Sequence, residues 1–314
     1  MKNNKNISRT FISLVAAAGL LLGNVALASE KGAPTTVKQG SAKVEKQVQD
    51  NTRSEAGKQR ESIVKEAVAA LEQTNNAIKA LAKKDKKAAL EALALVTGKL
   101  ELVLAREPEL ANAPIDVRVE QFDLYASVDT VKDTVKEAAD LLDDYEVQQA
   151  RALLSGLSSE IDIIVTALPL QAYTEGIKDV AKLVDQEKYD AASLGLYDLL
   201  STLVVTRNVI PLPILRAEEL LTKADELAVK EGRSNEENKE LVALLDNAKA
   251  QIEMAEALGY GDKKQYKAFY RQIKDIRKKT EGSKFGKGFM KELKDSLKNF
   301  KEKIFSNNSK ASEK

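Results

Sequence analysis

The stretch Thr202–Leu221, TLVVTRNVIPLPILRAEELL, is an apolar run broken by Pro211 and Pro213, with Arg207 before the break and Arg216 after it. Pro211 removes an amide donor and disfavours helix at Ile210, whereas Pro213 suits the first turn of a new helix, where that donor has no partner anyway. The stretch therefore reads as a corner between two helices. Arg207 falls in the last turn of the first, where a cation complements the helix dipole. Arg216 falls in the first turn of the second, where a cation is disfavoured and needs another reason. Two reasons are open: a surface pair with Glu218 or Glu219, or a buried acidic partner such as Asp116, Glu120 or an acidic ligand group.

Working outward, Pro211 is one of three prolines that end similar segments, the others being Pro108 and Pro169. Nineteen residues before them stand Ala89, Ala150 and Ala192. The sets Leu93/Leu154/Leu196, Val96/Leu157/Leu199 and Leu100/Ile161/Leu203 follow at steps of four, three and four, which trace one helical face. Further back, Leu81/Leu142/Val184 and Ala77/Ala138/Val180 mark an earlier helix, separated by the charged turns KKDKK, DDYEVQ and DQEKYD. Each unit reads as helix, turn, and a second helix ended by proline. The unequal spacing of the prolines leaves open whether these are true repeats.

Composition agrees with helices: Leu, Ala, Glu and Lys are abundant and aromatic residues make up 5%. The expected class is all-α, with stacked antiparallel helical hairpins in a bundle-like arrangement. Residues 61–281 form the helical core, with Ile115, Val117 and Val119 as a short extended piece in the linker between the first two units. Residues 29–60 are polar and weakly patterned, a mobile lead-in in which only Val37, Val44 and Val48 hint at a helical face.

Residues 1–28 read as a signal peptide. Lys2, Lys5 and Arg9 precede an apolar core from Phe11 to Leu22, and Ala26-Leu27-Ala28 places cleavage after Ala28. Periplasmic export is the expectation. Loss of those three cations turns a net charge of +1 into −2, which is no nucleic-acid-binding profile.

The chain has no histidine and no cysteine. The usual general base, the commonest metal ligand and the thiol nucleophile are therefore missing, and no enzyme activity, cofactor or metal is expected. Ser62-Ile63-Val64-Lys65 fits S-x-x-K without its companion motifs. Gly282, Gly286, Lys287 and Gly288 miss the phosphate-loop spacing and read as a hinge. Glu137, Asp140, Asp143, Asp144 and Glu146 read as a solvated acidic face.

Residues 282–314 combine that hinge with a basic amphipathic helix. Phe289, Leu293, Leu297 and Phe300 lie on one face, and Lys291, Lys294 and Lys298 on the other. The helix either packs back on the body, mediates self-association, or contacts an anionic membrane surface or acidic partner.

Four stretches together resemble the YfdX family of exported bacterial proteins: DKKAALEALALVTGKLELVLAREPELANAPIDVRVEQFD, NVIPLPILRAEELL, EALGYGDKKQYKAFY and KKTEGSKFGKGF. The resemblance runs from about Glu61 to Leu297. It implies a helical, periplasmic, stress-associated protein without an established reaction, with chaperone-like binding of unfolded proteins. Asp116, Pro211, Pro213, Arg216 and Tyr260 match the family's motifs without carrying known roles. The expected partners are unfolded or stress-damaged proteins and further copies of the chain, since stacked hairpins leave apolar faces unpaired. The alternative is a small-molecule or membrane-surface binding module, with Asp116, Arg207, Pro211, Pro213 and Arg216 about its pocket.

Overall fold

A computed structural model describes residues 22–23 and 42–311. Apart from β1 (Leu22–Gly23), the expected leader and its cleavage point lie outside the described residues, as does Val37.

The chain is mostly helical, with α1 through α11 and a small sheet. The helices run α1 (Ala42–Glu61), α2 (Lys65–Ala82), α3 (Lys86–Arg106), α4 (Val128–Asp143), α5 (Val147–Leu154), α6 (Leu170–Asp185), α7 (Tyr189–Ser201), α8 (Leu212–Ala228), α9 (Asn235–Ala257), α10 (Lys263–Thr280) and α11 (Lys291–Ala311). The strands are β2 (Asn112–Phe122), β3 (Glu160–Pro169) and β4 (Val204–Pro211), and the sheet order is β1-β2-β3-β4 with β2, β3 and β4 antiparallel. Three times over, a helical hairpin is followed by a strand.

The helices do not run on to their prolines, which corrects the sequence reading. α5 stops at Leu154 and α7 at Ser201, and the chain then extends as β3 and β4. The cause is composition: Ile161, Ile163, Ile164, Val165 and Thr166 in β3, and Val204, Val205, Thr206, Val209 and Ile210 in β4, are β-branched side chains that favour a pleated, half-buried surface. Pro169 and Pro211 end strands and stand as the N-caps of α6 and α8. The corner at Pro211 thus joins a strand to a helix, and Arg207 lies on β4, not in a helix. The extended piece around Ile115, Val117 and Val119 is β2, with a register irregularity between Pro114 and Asp116.

The hairpins share one turn. Lys84, Tyr145 and Glu187 each adopt positive φ, at 54°, 63° and 59°. The amide of the following residue, Asp85, Glu146 or Lys188, reaches back to the carbonyl of Ala80, Leu141 or Leu183. This is the Schellman closure of a helix C-terminus. Five residues after each of these turns comes Ala89, Ala150 or Ala192, all fully buried. The hairpins are repeats in geometry as well as in pattern.

Two cores result. The first and third hairpins, α2–α3 and α6–α7, enclose Leu93, Leu100, Tyr173, Ile177 and Leu196 as a four-helix bundle. The inner face of the sheet, with Val117, Ile161, Ile163, Val165 and Ile210, packs with α1 and α8–α11 around a second core. α1 occupies the latter part of the polar lead-in and buries Val44 and Val48. The second hairpin, α4–α5, rests on a small cluster with Leu124, Val131 and Met254.

Candidate functional site

Arg216 takes the buried option. Only 4% of its side chain is exposed, and its guanidinium is gripped from two sides. Its Nε and Nη2 donate to Glu45 of α1 at 2.9 and 3.1 Å, and its Nη1 and Nη2 donate to Asp123 beyond β2 at 3.0 and 2.6 Å. Neither Glu218 nor Glu219, nor Asp116 or Glu120, is the partner. Burial alone weakens the hold of Arg216 on its proton, but Asp123 and Glu45 outweigh that and raise its pKa. Bidentate, charge-assisted bonds on both sides engage four of the five donors of the planar fork. Arg216 is a clamp joining α1, α8 and the end of β2.

A polar seam continues from this clamp. Ser159 Oγ donates to Asp123 at 3.4 Å, the Ser159 amide donates to the Tyr260 hydroxyl at 3.0 Å, and that hydroxyl donates to Glu160 at 2.8 Å. Burial and the adjacent Glu160 carboxylate push the Tyr260 phenol upward. On the next strand Arg207, half exposed, donates to Glu160 at 2.8 Å and to Asp162 at 2.7 Å. Asp162 is itself buried, and its Oδ1 has no hydrogen-bond partner among the described residues. Desolvation raises its pKa to about 6 against the pull of Arg207, with Glu160 adding repulsion. Each perturbed carboxylate or phenol in the seam is thus engaged by another side chain, and the arrangement reads as a structural tie between strands and helices.

The remaining predicted residues fall apart from this seam or at its edge. Asp116 is exposed and pairs at 3.6 Å with Arg118 on its own strand. Pro211 and Pro213 are buried, and the Leu212 amide between them donates to the Ser159 carbonyl at 3.0 Å. Leu293, Leu297 and Phe300 are buried in the second core, with Phe289 packed against it. The apolar face of α11 therefore packs on the body. Lys291 and Lys298 stay at the surface beside Asp295 and Glu302, at 3.3 and 3.9 Å.

Lys294 lines a cleft of about 670 Å³ between α1, α8 and α11, with Lys58, Glu218, Glu219 and Lys301. Lys301 pairs with Glu218 at 2.7 Å, and burial raises the pKa of Glu218 against that pairing. Among the described residues no group of three or more potential metal ligands forms, and no helix is long and apolar enough to cross a membrane.

Glu45, Asp123, Glu160 and Asp162 are not singled out by sequence. The alternation Glu160-Ile161-Asp162-Ile163 is a signal for the last two once β3 is read as a strand. A second feature is apolar: Leu95 and Leu102 on α3, and Leu194 and Tyr197 on α7, are each more than half exposed. Leu95 and Leu102 sit two turns apart on one face.

Comparison with known proteins agrees with the motifs. The family described as YfdX protein matches residues 70–209. Among solved structures, one of YfdX from Salmonella Typhi is 15% identical, with a TM-score of 0.33, over 48% of this chain and 93% of that chain. No curated protein matches.

Proposed function

We propose, since residues 70–209 match the family described as YfdX protein, that the chain is an exported, non-catalytic member of that family that holds unfolded or stress-damaged proteins in the bacterial envelope. The observation that carries this reading is the display of Leu95 and Leu102 on α3 and of Leu194 and Tyr197 on α7. Large apolar side chains concentrated on outward helix faces offer purchase to exposed apolar segments of another chain. The rigid four-helix bundle beneath holds them in place without refolding. The periplasmic address comes from the leader read in residues 1–28.

A non-catalytic role fits the side chains available. With no histidine or cysteine, catalysis would rest on carboxylates, phenols, lysines or hydroxyls. Among the perturbed ones, Asp162 is held by Arg207, Tyr260 by Glu160 and Tyr270 by Glu256.

The test is light scattering of a heat-aggregating client with and without the protein, at neutral and mildly acidic pH. Suppression near stoichiometric amounts supports holding, and Leu102→Glu/Tyr197→Glu should weaken it. No suppression at several-fold excess overturns the reading.

The cleft beside Lys294 favours a second reading, a small-molecule binding module. Its mixed lining of lysines and glutamates suits a zwitterionic or acidic compound. A thermal shift produced by such a compound and lost in Lys294→Ala supports it. Adsorption to anionic vesicles belongs to the same alternative and would rest on lysines alone, since the apolar face of α11 is buried.

A further inference from the structure

With its apolar face turned inward, α11 itself offers a lipid surface only lysines. The loop leading into it offers more. From Glu281 to Gly288 the chain reads EGSKFGKG, the stretch whose glycines suggest a hinge. It is pinned instead. Arg233, 5% exposed, donates through Nη2 to the Lys284 carbonyl at 2.7 Å. Through Nη1 it donates to the carbonyls of Leu227, Ala228 and Lys230 at 3.2 Å each. The carbonyl end of α8 thus compensates this buried cation in place of a carboxylate. The Gly286 amide donates to the Ala228 carbonyl at 3.0 Å, and Asn238 Nδ2 donates to Ser283 Oγ at 2.8 Å. A Cβ at Gly286 would stand 2.4 Å from the Phe289 ring, so the backbone lies directly on a side chain packed against the second core.

What this fixed loop presents is Phe285, 49% exposed. With the Lys284 carbonyl and the Gly286 amide tied down on either side, the ring is held at the surface. About it stand Lys278 and Lys279 at the end of α10, and Lys284 and Lys287 in the loop. All four are exposed, and none makes an ion pair within 4 Å among the described residues. Glu281 is the one acid between Lys278 and Met290, while Glu231 and Glu236 lie at the adjoining turn from α8 to α9. The unpaired cations therefore concentrate on the loop itself.

We infer that this loop docks the protein on an anionic bilayer surface, with Phe285 entering the headgroup region and the four lysines meeting lipid phosphates. A fluid anionic surface buries the ring wherever it lands, and lysine stems can follow it inward while their ammonium groups stay in water. An acidic protein partner would satisfy the lysines but would also have to supply a pocket for the ring. This docking rests on the membrane-surface alternative above and is independent of holding by α3 and α7.

The chain has no tryptophan, so Phe285→Trp places a single fluorescent reporter at the tip. Its emission should shift to the blue on vesicles of equal parts phosphatidylglycerol and phosphatidylcholine, be quenched by brominated acyl chains, and stay unchanged on phosphatidylcholine alone. Tyr197→Trp on α7 should show none of these changes. In cosedimentation with the anionic vesicles, Lys284→Ala/Lys287→Ala should weaken binding about twentyfold and Phe285→Ala about fivefold, both with wild-type melting temperatures. Binding undiminished in both variants keeps adsorption and overturns docking by the loop. No binding by the wild type overturns both, and a blue shift at residue 197 in place of residue 285 overturns the loop and gives the lipid contact to α7.

Discussion

The second and third hairpins have the same turn, the same buried alanine in the first turn of their second helix, and the same apolar positions, yet different fates. In α6–α7, Ile177, Val184 and Leu196 lie inside a four-helix bundle, whereas in α4–α5 the equivalent Val135, Leu142 and Leu154 meet solvent. Local sequence dictates the hairpin; whether its apolar face becomes core depends on a mate being present. An apolar stripe at helical spacing specifies something to be covered, not what covers it.

The sharpest break would come at the corners that follow these hairpins. Pro169 launches α6 with Thr174 five residues on, and Pro211 launches α8 with Arg216 at the matching place. Arg216→Met strands Glu45 and Asp123 and should cost about 3 kcal/mol or more. Thr174→Val removes only a bond to the Leu170 carbonyl and should cost about 1 kcal/mol. Urea unfolding checks both, and equal costs would remove the contrast between the corners.

Next come the hairpins themselves. Leu196→Ala should cost about 3 kcal/mol through cavity formation. Leu154→Ala, at a position 42% exposed, should cost less than about 1 kcal/mol. At the interface of the first and third hairpins, the Tyr173 hydroxyl donates to Thr74 Oγ1 at 3.2 Å. Thr74→Val leaves that buried phenol unpaired and should cost about 1–2 kcal/mol; the second hairpin has valines at both equivalent places.

A pH effect belongs to the strand after the second hairpin. Asp162 in the fold binds a proton more tightly than an exposed aspartate does, so the folded state takes up that proton first as pH falls. Its contribution to stability should therefore rise from pH 7 to about pH 5. Asp162→Asn should flatten the melting temperature across that window, and an unchanged profile would remove Asp162 from the account.

The smallest effect tests the likeness of the hairpins. Lys84, Tyr145 and Glu187 sit in the left-handed region that glycine adopts without strain. Replacing each by Gly should stabilise by about 0.5–1 kcal/mol, alike in all three, since the gain depends on the turn and not on burial. A gain at one turn only would break the repeat.

Much of this is legible in the sequence. The offsets from Pro108, Pro169 and Pro211 locate the buried alanines, and the amphipathic pattern of α11 identifies the buried face at Leu293, Leu297 and Phe300. The strands β3 and β4 are not legible in the same way, because Ile161 and Leu203 also fit the helical step, and periodicity alone does not separate a short buried strand from the end of a helix. Arg216 poses its question plainly at the start of α8, but its partners Glu45 and Asp123 lie 171 and 93 residues away. Neither shares a local pattern with it, so only the fold brings them together.

The holding function is tested most directly by mass-resolved hydrogen exchange with and without an unfolded client. Slower exchange in peptides covering α3 and α7, with the remaining helices unchanged, is the predicted result. No change anywhere, or protection confined to α4–α5, would contradict it.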